Sequence, residues 1–302
     1  MQQQFIAAVD LGATNVRVAI ADADGEIHAR RAMPFPGGTP EDALARIGRA
    51  ADDLTRSIWA GSRVAAIGVA LPGAVDAAGG VVSTPANLPG WGDVPVARLL
   101  GEPRGVPVAV ENDANAAAAG ERWLGAANGL DNVVFIALGT GIGAGVVMDG
   151  RLHRGAHFLA GEVAFFPMTR EQVRAPGWDA CLEGLVGGRA AATKAVALLG
   201  EGATPGDLFD AAYAGHGEAS AWLREVQEYL AMAVVEIASL LDPQAVVFGG
   251  GVAMAQGERL IAPVREMALR CLPAKPSIML SALGEDAQLL GAVRLALDQV
   301  SP

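Results

Sequence analysis

Cysteine is nearly absent: the chain holds 2, Cys181 and Cys271, far apart and in no C-x-x-C arrangement. That excludes a disulfide framework as the source of stability. Positive charge is also scarce, with 22 Lys and Arg against 33 Asp and Glu and a formal net charge of −11. No run of basic residues marks a nucleic-acid face. The densest pair, Arg30-Arg31, reads as a solvated strand end. An acidic surface repels anionic substrates at long range, so a bound nucleotide must be held by local backbone donors. No stretch reaches the roughly 18 uncharged apolar residues of a membrane span. Met1-Gln2-Gln3-Gln4 puts no basic residue before the short apolar run Phe5-Ile6-Ala7-Ala8-Val9, unlike a secretory signal, and a cytoplasmic location is expected.

What is plentiful is core-forming material: 52% of the 302 residues are hydrophobic. That length suits two domains of ordinary size. Phe5-Ile6-Ala7-Ala8-Val9 reads as a buried strand, followed by a polar turn, an alternating strand over 16–20, the hairpin signal Asp24-Gly25 and a third strand from Glu26. Thr39-Pro40 opens a helix over 41–60, and 64–69 is a further strand. The second half repeats the opening. A strand over 133–138 meets a glycine-rich turn over 139–145, then a strand over 146–148 and the hairpin pair Asp149-Gly150. Two copies of strand, polar glycine turn, strand, Asp-Gly turn and strand point to a duplicated α/β domain. A helix over 218–241 ends at Asp242-Pro243, a strand over 245–248 meets Gly249-Gly250-Gly251, and a helix over 286–300 closes the chain.

Four clusters carry candidate chemistry. Gly139-Thr140-Gly141-Ile142-Gly143 lets the backbone approach a ligand and aim N–H groups at phosphate, or merely closes a hairpin. It fits neither the dinucleotide fingerprint nor a Walker loop. Asp10, Gly12, Thr14 and Asn15 form a turn that can hold a phosphate and a hydrated Mg²⁺, or is a plain Asx-turn. Glu111-Asn112-Asp113-Ala114-Asn115 sits where a strand over 107–110 becomes an alanine-rich helix over 113–123, at the sheet edge where α/β folds bind ligands. A helix cap needs only one such polar residue. Glu162, in an apolar stretch, needs a partner, either a substrate hydroxyl or a structural arginine. Asn87, before Leu88-Pro89-Gly90-Trp91, could serve a polyol.

Together these motifs resemble the ROK family, which holds bacterial sugar kinases and sugar-responsive repressors; the likeness is greatest to its glucokinases. It rests on Asp10-Leu11-Gly12-Ala13-Thr14-Asn15, Leu71-Pro72-Gly73, Asn87-Leu88-Pro89-Gly90-Trp91, Glu111-Asn112-Asp113-Ala114-Asn115, Leu138-Gly139-Thr140-Gly141-Ile142-Gly143, Gly155-Ala156-His157, Ala160-Gly161-Glu162, Gly249-Gly250-Gly251 and Gly284-Glu285-Asp286-Ala287. The resemblance implies duplicated actin-like (ribonuclease H-like) domains, 1–110 with 286–302 and 111–285, and an active-site cleft between them. It implies ATP-dependent phosphorylation of a hexose, glucose first, with Asp113 as general base. Gly73, Asn87, Asn112, Asp113, Glu162 and Glu183 match sugar ligands. Asp10, Gly12, Thr14 and Asn15 match the first phosphate turn, with Asp10 reaching magnesium through water. Gly139, Thr140, Gly141 and Gly143 match the second phosphate turn, and Gly249, Gly250 and Gly251 the adenosine side. A homodimer is the family habit.

One departure stands out. The family continues Gly-Glu-x-Gly-His and follows with zinc-binding cysteines, where this chain has Ala164 and Phe165 and keeps only Cys181. No structural zinc is expected, Phe165, Phe166, Pro167 and Trp178 are the expected apolar anchors of the following loop, and the sugar's identity stays open. Kinases of N-acetylmannosamine, N-acetylglucosamine, fructose or allose are the alternatives, with a non-catalytic sugar-binding regulator as the rival class. Polyphosphate as donor is disfavoured by the missing basic track.

Overall fold

The computed structural model describes residues 4–58, 63–84, 88–174, 177 and 181–300. The chain divides into two compact units. The first runs to Gly129 and adds Leu152–Ala160 and the residues from Asp286 on; the second comprises Leu130–Arg151 and Gly161–Glu285. The first unit therefore continues past residue 110 and takes in the helix that begins at Asp113.

In the first unit, β1 (Phe5–Leu11), β2 (Asn15–Ala21), β3 (Ile27–Pro34), β4 (Val64–Leu71), the short pair β5 (Ala74–Asp76) and β6 (Val81–Thr84), and β7 (Val108–Asn112) appear in that order. The main sheet has the order β3-β2-β1-β4-β7, with β1, β4 and β7 parallel. The continuous apolar run of β1 is explained by burial on both faces. Phe5, Ala7 and Val9 face a core shared with Leu44, Ile47 and Leu54 of α1 (Pro40–Ile58). Ile6 and Ala8 face an alanine-rich core with Ala66, Ala70, Leu289 and Val293. The Thr39 hydroxyl accepts the Asp42 N–H at 3.2 Å and starts α1 where Thr39-Pro40 indicated. Arg30 and Arg31 are exposed but lie mid-strand on β3, not at a strand end. Charge on this edge strand discourages pairing with another sheet.

After α2 (Val96–Gly101) and β7 comes α3 (Asp113–Leu124). It packs against the C-terminal helix, Ala287–Leu297, at very short range. A Cβ at Gly291 would overlap the Ala116 carbonyl, and one at Gly120 the Ala287 carbonyl. The small residues of this layer let the two helices and β4 come together.

The second unit repeats the topology. Its strands are β8 (Val133–Leu138), β9 (Ile142–Met148), β10 (Arg151–Leu152), β11 (Ala245–Gly249) and β12 (Ser277–Leu280), in the order β10-β9-β8-β11-β12. Asp149 and Gly150 have φ of 51° and 73°, the paired positive values of a tight hairpin. The glycine turn is shorter than expected. It ends at Gly141, and β9 begins at Ile142, so Gly143 and Gly145 are strand residues opposite Ala137 and Phe135. Pairing with β8, together with the Ala144 N–H donated to Gly161 O at 2.8 Å, overrides the weak strand propensity of glycine. The helices are α4 (Arg170–Arg174), α5 (Leu182–Val186), α6 (Gly188–Leu199), α7 (Pro205–Tyr213), α8 (Gly217–Leu241), α9 (Gly251–Gln256) and α10 (Glu258–Cys271). α8 stops at Asp242, whose φ of 44° makes a left-handed cap before Pro243. Phe166 packs on this unit's core, whereas Phe165 is 56% exposed; Trp178 lies outside the described residues.

Candidate active site

The carboxyl ends of β1, β4 and β7 lie side by side, and the register places candidates in rows. Asp10 is opposite Ala70 and Ala70 opposite Glu111; Leu71 is opposite Asn112. The two polar clusters therefore flank β4, about 10 Å apart at two strand spacings. In the first turn the Gly12 N–H donates to Asn15 O at 3.0 Å, and Phe35 N–H to Thr14 O at 2.7 Å. Among the described residues the Ala13 and Thr14 N–H groups donate to nothing. This is the free-donor turn that a phosphate requires. Asp10 Oδ2 accepts from Arg17 Nε at 2.8 Å and meets Nη2 at 2.7 Å. Burial pushes the Asp10 carboxyl above its ordinary range, and Arg17 opposes that rise.

Asn112 caps α3, its Oδ1 accepting the N–H groups of Ala114 at 2.9 Å and Asn115 at 3.2 Å. Its Nδ2 donates to Gly73 O at 3.1 Å, and Gly73 itself turns with φ of 107°. The cap accounts for Asn112 but not for its neighbours. Asp113 Oδ1 accepts the Ala114 N–H at 2.8 Å, at the helix end where the dipole favours negative charge. Glu111 is buried and is a hub. Oε1 accepts from Asn112 N and Asn115 Nδ2, each at 3.0 Å, while Oε2 takes Arg154 Nε at 2.7 Å and Nη2 at 2.6 Å. Sequence reasoning missed Arg154: it lies 43 positions away in a loop with no motif of its own.

The second unit gathers the other candidates. Gly139 N–H donates to Gly141 O at 2.9 Å, and the N–H groups of Thr140 and Gly141 donate to nothing among the described residues. Gly250, with φ of 86°, lies against the end of β8, where a Cβ would come within 2.6 Å of Leu138 O. The Gly249-Gly250-Gly251 segment therefore adjoins the glycine turn. Glu183 Oε2 accepts the Ile142 N–H at 3.1 Å. Glu162 makes no hydrogen bond or ion pair through its side chain among the described residues. Burial, and then the charge of Glu183, push its carboxyl above the ordinary range. No arginine partners it among the described residues. Cys181 is buried beside Glu183, and Asn87 lies outside the described residues.

Among the described residues, one group of His, Cys, Asp or Glu comes close enough to share a metal ion: Asp22, Glu26 and His28 on the β2–β3 hairpin. Its geometry has a structural explanation. Asp22 receives the N–H groups of Asp24 and Glu26, each at 3.0 Å, and contacts His28 Nε2 at 2.7 Å.

The chain matches the ROK family over residues 6–299. A glucokinase from Halalkalibacterium halodurans is 30% identical over 329 residues, covering 99% of this chain and 97% of that protein. An N-acetylmannosamine kinase from Citrobacter koseri is 32% identical over 295 residues, covering 96% and 97%. Among solved structures, a ROK hexokinase from Thermus thermophilus has 33% identity and a TM-score of 0.86, covering 98% of this chain and 99% of that one. A ROK family glucokinase from Streptomyces griseus, solved with glucose and AMPPNP, has 30% identity and a TM-score of 0.79, covering 97% and 99%. Two sheets of one topology, each ending in a glycine turn with free N–H groups, and this likeness over nearly the full length lead to one conclusion: the chain belongs to the ROK family.

Proposed function

We propose that the protein is an ATP-dependent hexose kinase that transfers the γ-phosphoryl group to a primary sugar hydroxyl, with glucose as the first candidate. The observation that carries this reading is the row Asp10–Ala70–Glu111, which sets a free-donor turn and the Asn112-Asp113 junction on one rigid sheet edge. Asp113 accepts the hydroxyl proton while the sugar oxygen bonds to phosphorus and the bond to the ADP oxygen breaks. A base so placed is worth about 10²–10⁴-fold. Asn112, Glu162 and Glu183 bind sugar hydroxyls, and Gly73 supports Asn112 through its carbonyl. The free N–H groups at 13–14 and 140–141 take phosphate oxygens and offset their charge as the transition state forms. Gly249, Gly250 and Gly251 form the adenosine side.

Magnesium fits at Asp10 through water. Arg17 already neutralises one carboxylate oxygen, which disfavours direct coordination and leaves Oδ1 to accept from an ion's water. The bound ion would supply charge neutralisation for the phosphates.

A second acceptor has equal support, since the N-acetylmannosamine kinase is as similar as the glucokinase. A coupled ADP-release assay over a panel of hexoses and N-acetylhexosamines tests the function and names the acceptor. Asp113→Asn should keep sugar affinity and lose about 10²-fold or more in turnover. Near-normal turnover would remove Asp113 from the role.

A further inference from the structure

We propose that Glu183 is a positioning residue for the second glycine turn, so that one carboxylate serves both the acceptor sugar and the nucleotide's phosphates. This inference rests on the kinase reading above and adds to it the way in which the two substrates' sites are tied together.

The argument begins with the turn's polarity. A backbone loop binds an anion when its N–H groups face the ligand and its carbonyls face away. Here all three carbonyls of residues 139–141 are occupied by protein donors. Gly188 N–H donates to Gly139 O at 2.8 Å, Arg189 N–H to Thr140 O at 3.0 Å, and Gly139 N–H to Gly141 O at 2.9 Å. The first turn of α6 thus holds two of the three carbonyls, and the Thr140 and Gly141 N–H groups have no protein partner among the described residues.

Glu183 fixes the other end of the same turn. Its Oε2 accepts the Ile142 N–H at 3.1 Å, the donor next in line after the two free ones. A Cβ on Gly141 would overlap the Glu183 carboxylate, so the two residues share one space. The backbone of Glu183 is tied in as well, since Gly187 N–H donates to Glu183 O at 2.9 Å just before α6 begins. Glu183 is therefore wedged between the turn and the helix that orients it.

A carboxylate beside a phosphate turn opposes anion binding, and its acceptor function alone could be met by a neutral amide. That a charged group stands here points to a second partner. Its other oxygen, Oε1, has no hydrogen bond among the described residues, and its charge reaches Glu162, the other proposed sugar ligand of this unit. Oε2 braces the phosphate turn while Oε1 is left for the sugar. Moving either would move the other, because a carboxylate is rigid and planar.

The two functions separate by substitution. Glu183→Gln keeps an oxygen able to accept the Ile142 N–H but removes the charge. It should bind AMPPNP within about threefold of wild type while the KM for the sugar rises tenfold or more. Glu183→Ala removes both and should weaken AMPPNP at least tenfold, measured by calorimetry without sugar. Gly141→Ala displaces the carboxylate from the turn side. It should weaken the sugar several-fold when sugar binding is measured without nucleotide. AMPPNP binding to Glu183→Ala within twofold of wild type overturns this inference alone. Failure of wild type to bind AMPPNP at all overturns the kinase reading with it.

Discussion

Replacing Arg154 by Met should unsettle the junction that carries Asp113. The pair is nearly closed to water on one side only: the Glu111 side chain is 2% exposed and that of Arg154 33%. Removing one partner of a fully buried pair costs about 3–5 kcal/mol, because the other charge is stranded. Here Glu111 keeps its two donors on Oε1, and water already reaches Arg154, so about 2–3 kcal/mol is expected. For units of this size that corresponds to a melting midpoint lower by about 5–10 °C. Adding Glu111→Gln to Arg154→Met removes the stranded charge and should recover more than half of the loss. Glu111→Gln alone should cost less than Arg154→Met alone, since a guanidinium that is already partly exposed rehydrates easily. Calorimetry on the three variants measures this, and turnover should fall about tenfold or more with Arg154→Met, because Asp113 is the second residue after the hub. A double variant no more stable than Arg154→Met would refute the account of Glu111 as a stranded charge.

Glu162 gives a pH-dependent test. Its carboxyl lies above the ordinary 4.5, so the folded chain holds that proton more tightly than the unfolded chain and ionising it costs stability as pH rises. Glu162→Gln should therefore melt higher than wild type at pH 7 to 8, with the advantage vanishing as pH falls toward 4.5, while its sugar KM rises. Elemental analysis of the untagged protein should find less than about 0.1 zinc per chain; about one tightly held zinc, as in a closed structural site, would overturn the reading of residues 162–183. Sedimentation should show a dimer; a species near 30.8 kDa at micromolar concentration would reject it.

Much of this arrangement could be read in the residues because local rules decide it. A continuous apolar run became the doubly buried β1, Thr39-Pro40 opened α1, and Asp149-Gly150 turned a hairpin. The glycine turn was over-extended because glycine signals flexibility, whereas Gly143 and Gly145 are held by ladder partners 6 and 10 residues back in β8. The polar groups at 111–113 were visible as an excess over capping needs. Their division of labour was not, since Glu111 finds Arg154 and Asn112 finds Gly73 through tertiary contact alone. Phe165 shows what an apolar stretch does not reveal: the ring reads as wholly covered, and it is 56% exposed.

The glycine-lined contact between α3 and the C-terminal helix has a consequence for how the chain is made. The first unit's sheet is complete at Asn112, but one of its two faces is covered by residues that emerge only after the whole second unit has been synthesised. Ile6, Ala8, Ala66 and Ala70 must wait for Leu289 and Val293. On the ribosome the second unit, Leu130–Arg151 with Gly161–Glu285, has its full sequence first, while that face of the earlier-made sheet still lacks part of its apolar cover. The helix Ala287–Leu297, which follows the second unit in the chain, then completes the cover of the first.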